Sequence, residues 1–139
     1  MANAFVHMEL TTDDPAAAKK FYKKVFDWTV TDIPKMKYSL IDTGDKKVGG
    51  GINAKSMPSQ PTSWLVYAEV ESVKKTIAKA EKAGAKTLLA FQDMGARGAI
   101  GVFVDPTGAA FGVWERATKS SKAAGGKKSA SGKKPTKKR

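Results

Sequence analysis

The chain has 139 residues with no cysteine and a single histidine, His7. The first absence excludes disulfide frameworks, thiolate metal sites and cysteine nucleophiles. The second excludes a cage of several histidines within one chain. No stretch approaches the roughly 20 apolar residues that a spanning helix needs, so no membrane span is expected. Met1 to Leu10 contains neither Lys nor Arg and carries Glu9, unlike the basic start of a secretory signal, and the expected location is the cytoplasm.

Acidic residues are missing from Ala117 to Arg139, where eight lysines and Arg139 give +9. The remaining residues hold 16 basic and 13 acidic side chains, an ordinary surface balance, so most of the net +12 belongs to the tail. That tail also lacks aromatic and large aliphatic residues and cannot bury enough apolar area to offset the entropy of ordering. It reads as a disordered basic extension, residues 117–139, following one domain, 1–116. Its functional reading is sequence-blind binding of a polyanion such as nucleic acid by counterion release, through Lys127, Lys128, Lys133, Lys134, Lys137, Lys138 and Arg139. A merely solubilising role is the alternative. No aromatics interleave with these lysines, so base stacking is not expected.

What is present in the first 116 residues is a repeated pattern. Ala4 to Thr11 alternates, with Val6, Met8 and Leu10 on one face and Phe5, His7, Glu9 and Thr11 on the other, which predicts a strand. Asp14 and Pro15 make a helix start, and Ala18, Phe21, Tyr22 and Val25 follow helical spacing. Three strand-like segments come next: Trp28 to Ile33, Lys37 to Thr43 and Val48 to Asn53. After a Pro-bearing linker the order restarts with a strand at Trp64 to Glu69 and a helix capped by Ser72 and stopped at Gly84. Strands at Lys86 to Gln92, Ala99 to Val104 and Ala109 to Glu115 complete it. Two βαβββ repeats, about 4–54 and 63–116, predict an α+β fold with a curved mixed sheet around a cavity. His7 and Glu9 should face that cavity from the first repeat, and Leu65, Tyr67 and Glu69 from the second.

Three segments, FVHMELTTDDPAAAKKFYKKVFDW, WLVYAEVESVKKTIAKAEKAGAK and FVDPTGAAFGVWE, resemble the vicinal oxygen chelate superfamily, which includes glyoxalase I, bleomycin-resistance proteins and extradiol dioxygenases. The resemblance spans Ala4 to Arg116. It implies a small-molecule ligand and a homodimer, but no single reaction, because one fold hosts many chemistries. In metal-dependent members, a His or Glu from the first and last strand of each repeat binds one divalent ion. His7 falls on the first such position, whereas the others carry Leu65, Gly112 and the run Gly49, Gly50, Gly51. The resemblance therefore implies neither a cofactor nor the usual metal site. A divalent ion held by His7 with Glu9 and Glu69 would need a different arrangement.

The expected function is small-molecule binding in the concave pocket. His7 and Glu9 are the candidate catalytic pair, since an imidazole titrates near neutrality. Tyr67, Glu69, Phe103, Trp114 and Arg97 are the candidate ligand-binding residues, with the aromatics as a platform for a flat or apolar ligand. Arg97 lies in the hairpin loop Asp93 to Gly98, from which it could pair with an anionic group. Two alternatives stand beside this reading: a metal-dependent glyoxalase, lyase or dioxygenase, and a nucleic-acid-associated protein acting through the basic tail.

Overall fold

The computed structural model describes residues 2–118, so the expected polyanion contacts from Lys127 to Arg139 lie outside the described residues. The described residues divide into two compact units, Phe5–Tyr67 and a second made of residues 68–118 with residues 2–4. Element order repeats as expected: β1 (Phe5–Thr12), α1 (Pro15–Val25), β2 (Thr29–Ile33), β3 (Tyr38–Asp42) and β4 (Gly49–Ala54), then β5 (Ser63–Glu69), α2 (Val73–Lys82), β6 (Lys86–Asp93), β7 (Ala99–Val104) and β8 (Ala110–Glu115). The fold is α+β, and β5 crosses the boundary between the units. No described helix is long and apolar enough to cross a membrane.

In the first unit the strands lie in the order β2-β3-β4-β1, with β5 next to β1. Strand β1 runs parallel to β4, pairing His7 with Gly49 and Glu9 with Gly51, while β3 is antiparallel to both β2 and β4. Period-2 alternation then decides the faces. Leu10, Ile41 and Ile52 form the core, covered by Ala18, Tyr22, Trp28 and Val30. The side chain of Asp14 caps α1 by accepting from the Ala17 amide at 3.0 Å, Pro15 starts it, and extended backbone at Phe26 ends it.

In the second unit Ser72 caps α2, which buries Val73 and Ile77 against Val70 and Val113. Strand β7 pairs antiparallel with β6 and β8. Gly101 in β7 permits a close approach of helix and strand, because a Cβ there would stand 2.8 Å from Val73 Cγ1. Phe103, expected on a pocket wall, packs instead against this core and stacks on Phe111 at 5.9 Å between centroids. The ring is partly buried, so part of its apolar surface stays accessible.

Candidate functional site

Strand β1 places His7 and Glu9 on the same face, two residues apart, opposite to Leu10 and the core. The start of β3 brings a third group between them. Tyr38 donates its hydroxyl proton to Glu9 Oε1 at 3.2 Å, and the Tyr38 hydroxyl oxygen lies 2.7 Å from His7 Nε2. A phenol carries one proton, so with Glu9 ionised the His7 ring donates from Nε2 and keeps Nδ1 as an acceptor. With Glu9 protonated the direction of both bonds reverses. The bridge can therefore pass a proton between a carboxyl and an imidazole that do not touch. The Tyr67 ring meets the edge of His7 with centroids 5.7 Å apart, and Tyr67 is buried.

Glycine makes this cluster possible. Gly49 and Gly51 stand beside His7 and Glu9 in the parallel β1–β4 ladder. A Cβ at Gly51 would collide with the Tyr38 ring and hydroxyl, and one at Gly49 would sit 3.1 Å from His7 Nδ1. The space that side chains of β4 would have filled is taken by Tyr38 and His7.

Burial sets the electrostatics. Desolvation lowers the pKa of His7 below its ordinary 6.5 and favours the neutral ring. Desolvation raises Glu9 above 4.5, opposed in part by the hydrogen bond from Tyr38. Burial, and secondarily the charge of Glu9, pushes the Tyr67 hydroxyl up, so that it remains a donor through neutral pH. The two shifts bend the stability profile in opposite senses. Unfolded His7 binds a proton that the folded ring resists, so its contribution disappears as the pH falls from 6.5 through the lower folded value. Folded Glu9 holds its proton longer than the unfolded group, so its contribution disappears as the pH rises from 4.5 through the higher folded value. Thermal melting across this range should show His7→Gln flattening the acid limb below pH 6.5, and Glu9→Gln removing the decline that begins above pH 4.5. Melting curves parallel to the parent at every pH would contradict this assignment.

The second unit gathers the other candidates differently. Glu69 pairs with Arg116 at 2.6 Å, and the Arg116 guanidinium lies 5.0 Å from the centre of the Trp114 ring. The indole N–H of Trp114 donates to the carbonyl oxygen of Arg97 at 2.7 Å. Arg97 thus enters this cluster through its backbone, and Glu69 is already committed to a cation. Tyr38 and Arg116 were not among the expected residues. The signal for Tyr38 was the glycine run in a strand, which marks a close approach of another group.

Among the described residues of one chain, this face supplies two of the three protein ligands that a catalytic divalent ion usually keeps. His7 and Glu9 are two candidate ligands already bridged by a phenol, and among the described residues no three His, Cys, Asp or Glu side chains are gathered closely enough to hold a metal.

Comparison with known proteins agrees with the fold. The chain is 31% identical over 117 residues to the Mycobacterium bovis protein named "Putative glyoxylase CFP32", covering 78% of this chain and 44% of that protein. It is 28% identical over 127 residues to the anthracycline biosynthesis protein DnrV of Streptomyces peucetius, covering 78% and 45%. The chain thus spans less than half the length of these curated relatives. Among solved structures, methylmalonyl-CoA epimerase from Mycobacterium tuberculosis superposes with a TM-score of 0.61 at 13% identity, over 83% of this chain and 89% of that one. A Bacillus halodurans C-125 protein, BH1468, gives 0.63 at 10% identity, over 86% and 98%. Those two likenesses speak for the fold alone. The family model for the Glyoxalase/Bleomycin resistance protein/Dioxygenase superfamily matches residues 4–113. With two βαβββ units spanning the same residues, the chain belongs to that superfamily.

Proposed function

We propose that the chain binds a small molecule on the His7–Glu9 face and handles it through hydrogen bonding and proton transfer rather than through a divalent ion. The observation that carries this reading is the His7–Tyr38–Glu9 bridge over Gly51. A neutral imidazole is a competent general base, and a carboxyl with a raised pKa is a competent acid. The flanking aromatic rings of Tyr38 and Tyr67 suit a ligand with a flat or apolar body and a polar end. The relatives named for glyoxylase and anthracycline biosynthesis support a small-molecule role. A homodimer, which the family resemblance implies, is part of this reading.

The test is metal content and ligand response on one sample. Full-length protein, with its dimeric mass checked by light scattering, is incubated with Mn, Fe, Ni, Co or Zn, dialysed and subjected to elemental analysis beside His7→Ala. The expected result is no retained metal in either protein. A panel of small polar aromatic compounds should yield ligands that raise the melting temperature of the parent but not of His7→Ala; at about 100 times Kd the stabilisation is roughly 2.7 kcal/mol. Near-stoichiometric metal that vanishes in His7→Ala would overturn the metal-free reading and favour lyase or dioxygenase chemistry.

A further inference from the structure

Helix α1 contributes no buried residue, and it carries Lys19, Lys20, Lys23 and Lys24. At 3.6 residues per turn these form two adjacent rows, 19 with 23 and 20 with 24, and members of a row are about 6 Å apart along the axis. They rim a cleft of about 430 Å³ whose other lining residues are Val30 and Asp32. Asp32 is committed: it accepts from the Ser39 hydroxyl at 2.7 Å and pairs with Lys19 at 3.0 Å. Among the described residues no carboxylate lies within ion-pair distance of Lys20, Lys23 or Lys24. Three ammonium groups on this helix are therefore without an ion pair, Lys23 reaching Asp32 only through longer-range attraction, and no acidic residue occupies the first turn of the helix. Mutual repulsion at such spacing costs stability in an isolated helix, which an external anion would relieve.

We propose that this stripe docks the sugar-phosphate backbone of duplex nucleic acid. A row period of about 6 Å is close to twice the roughly 3.4 Å charge spacing along one strand of a duplex. A single phosphate would use one or two of these cations, whereas a strand of phosphates uses all three. The sequence adds a second source of positive charge, eight lysines and one arginine without an acid in residues 117–139. Recognition is by charge, so the binding is independent of base sequence. The inference does not rest on the pocket chemistry of His7 and Glu9.

Anisotropy of a labelled duplex, titrated with the full chain over a range of salt, tests it. Lys20→Gln, Lys23→Gln and Lys24→Gln are combined, because Gln keeps helix propensity. A charge-matched control combines Lys75→Gln, Lys79→Gln and Lys82→Gln on the exposed face of α2, with melting curves to establish that both variants fold. The α1 variant should lower the slope of log affinity against log salt by roughly 2 to 3, at about 0.9 per lost phosphate contact. The α2 control should lower it by less than about 1. Equal losses would show that only net charge is read and would overturn the α1 surface. No duplex binding, or binding that depends on the α1 lysines only with phosphatidylserine vesicles, would overturn the nucleic-acid partner.

Discussion

Replacing Tyr38 with Phe is expected to disable the candidate site while leaving the fold in place. The phenyl ring still fits over Gly51, but His7 Nε2 and Glu9 Oε1 both lose their shared hydroxyl. Leaving partly buried polar groups without a partner costs about 1–3 kcal/mol. Glu9 also loses the hydrogen bond that holds its pKa down, so desolvation acts alone and the carboxyl titrates higher still. Gly51→Ala should reproduce the functional loss by a separate route, since its methyl group must push the Tyr38 ring out of place. In NMR titrations of the His7 ring, both variants should move the imidazole titration away from that of the parent. Any ligand found for the parent should bind at least tenfold more weakly, a change of about 1.4 kcal/mol. Unchanged His7 titration together with unchanged affinity in Tyr38→Phe would dismiss the bridge.

Gly98→Ala is expected to be the most damaging of the small substitutions. Gly98 has φ 95° and ψ −144°, backbone that costs other residues about 1–3 kcal/mol. An added Cβ would also run into the carbonyl oxygen of Glu115 and lie 3.1 Å from the Ala117 amide nitrogen, neither of which is a flexible side-chain end. Combined strain and displacement should destabilise the chain by about 3 kcal/mol or more. Gly95 supplies the comparison within the same loop. Its φ is 64° and open space surrounds its Cβ position, so Gly95→Ala should cost only about 1–2 kcal/mol. Urea denaturation should order the midpoints as parent, Gly95→Ala, Gly98→Ala. Gly98 also borders Arg97, whose carbonyl holds the Trp114 indole, so loss of near-ultraviolet signal from Trp114 should accompany the change. Equal midpoints for the two variants would refute the steric argument.

Local pattern determined much of this protein. Alternation in Phe5–Thr12 by itself separates Leu10 from His7 and Glu9, because the side-chain period of a strand is two. Asp14 with Pro15 and Ser72 announced both helix starts, since a short polar side chain can satisfy a free amide at the first turn. The βαβββ order in each half followed from the same local signals, with turn residues falling between them.

The partners of the functional side chains were decided only in three dimensions. Tyr38 is 31 residues from His7, and nothing local to either residue says that β4 will lie between their strands and supply glycines there. Phe103 and Trp114 are both aromatic strand residues. One joins the core beneath α2 and the other hydrogen-bonds to a loop carbonyl under an arginine, a difference set by register and by which face each strand presents. Strand period divides residues between two faces, but the neighbours that fill each face come from elsewhere in the chain, and those long-range pairings made a polar bridge of His7, Tyr38 and Glu9.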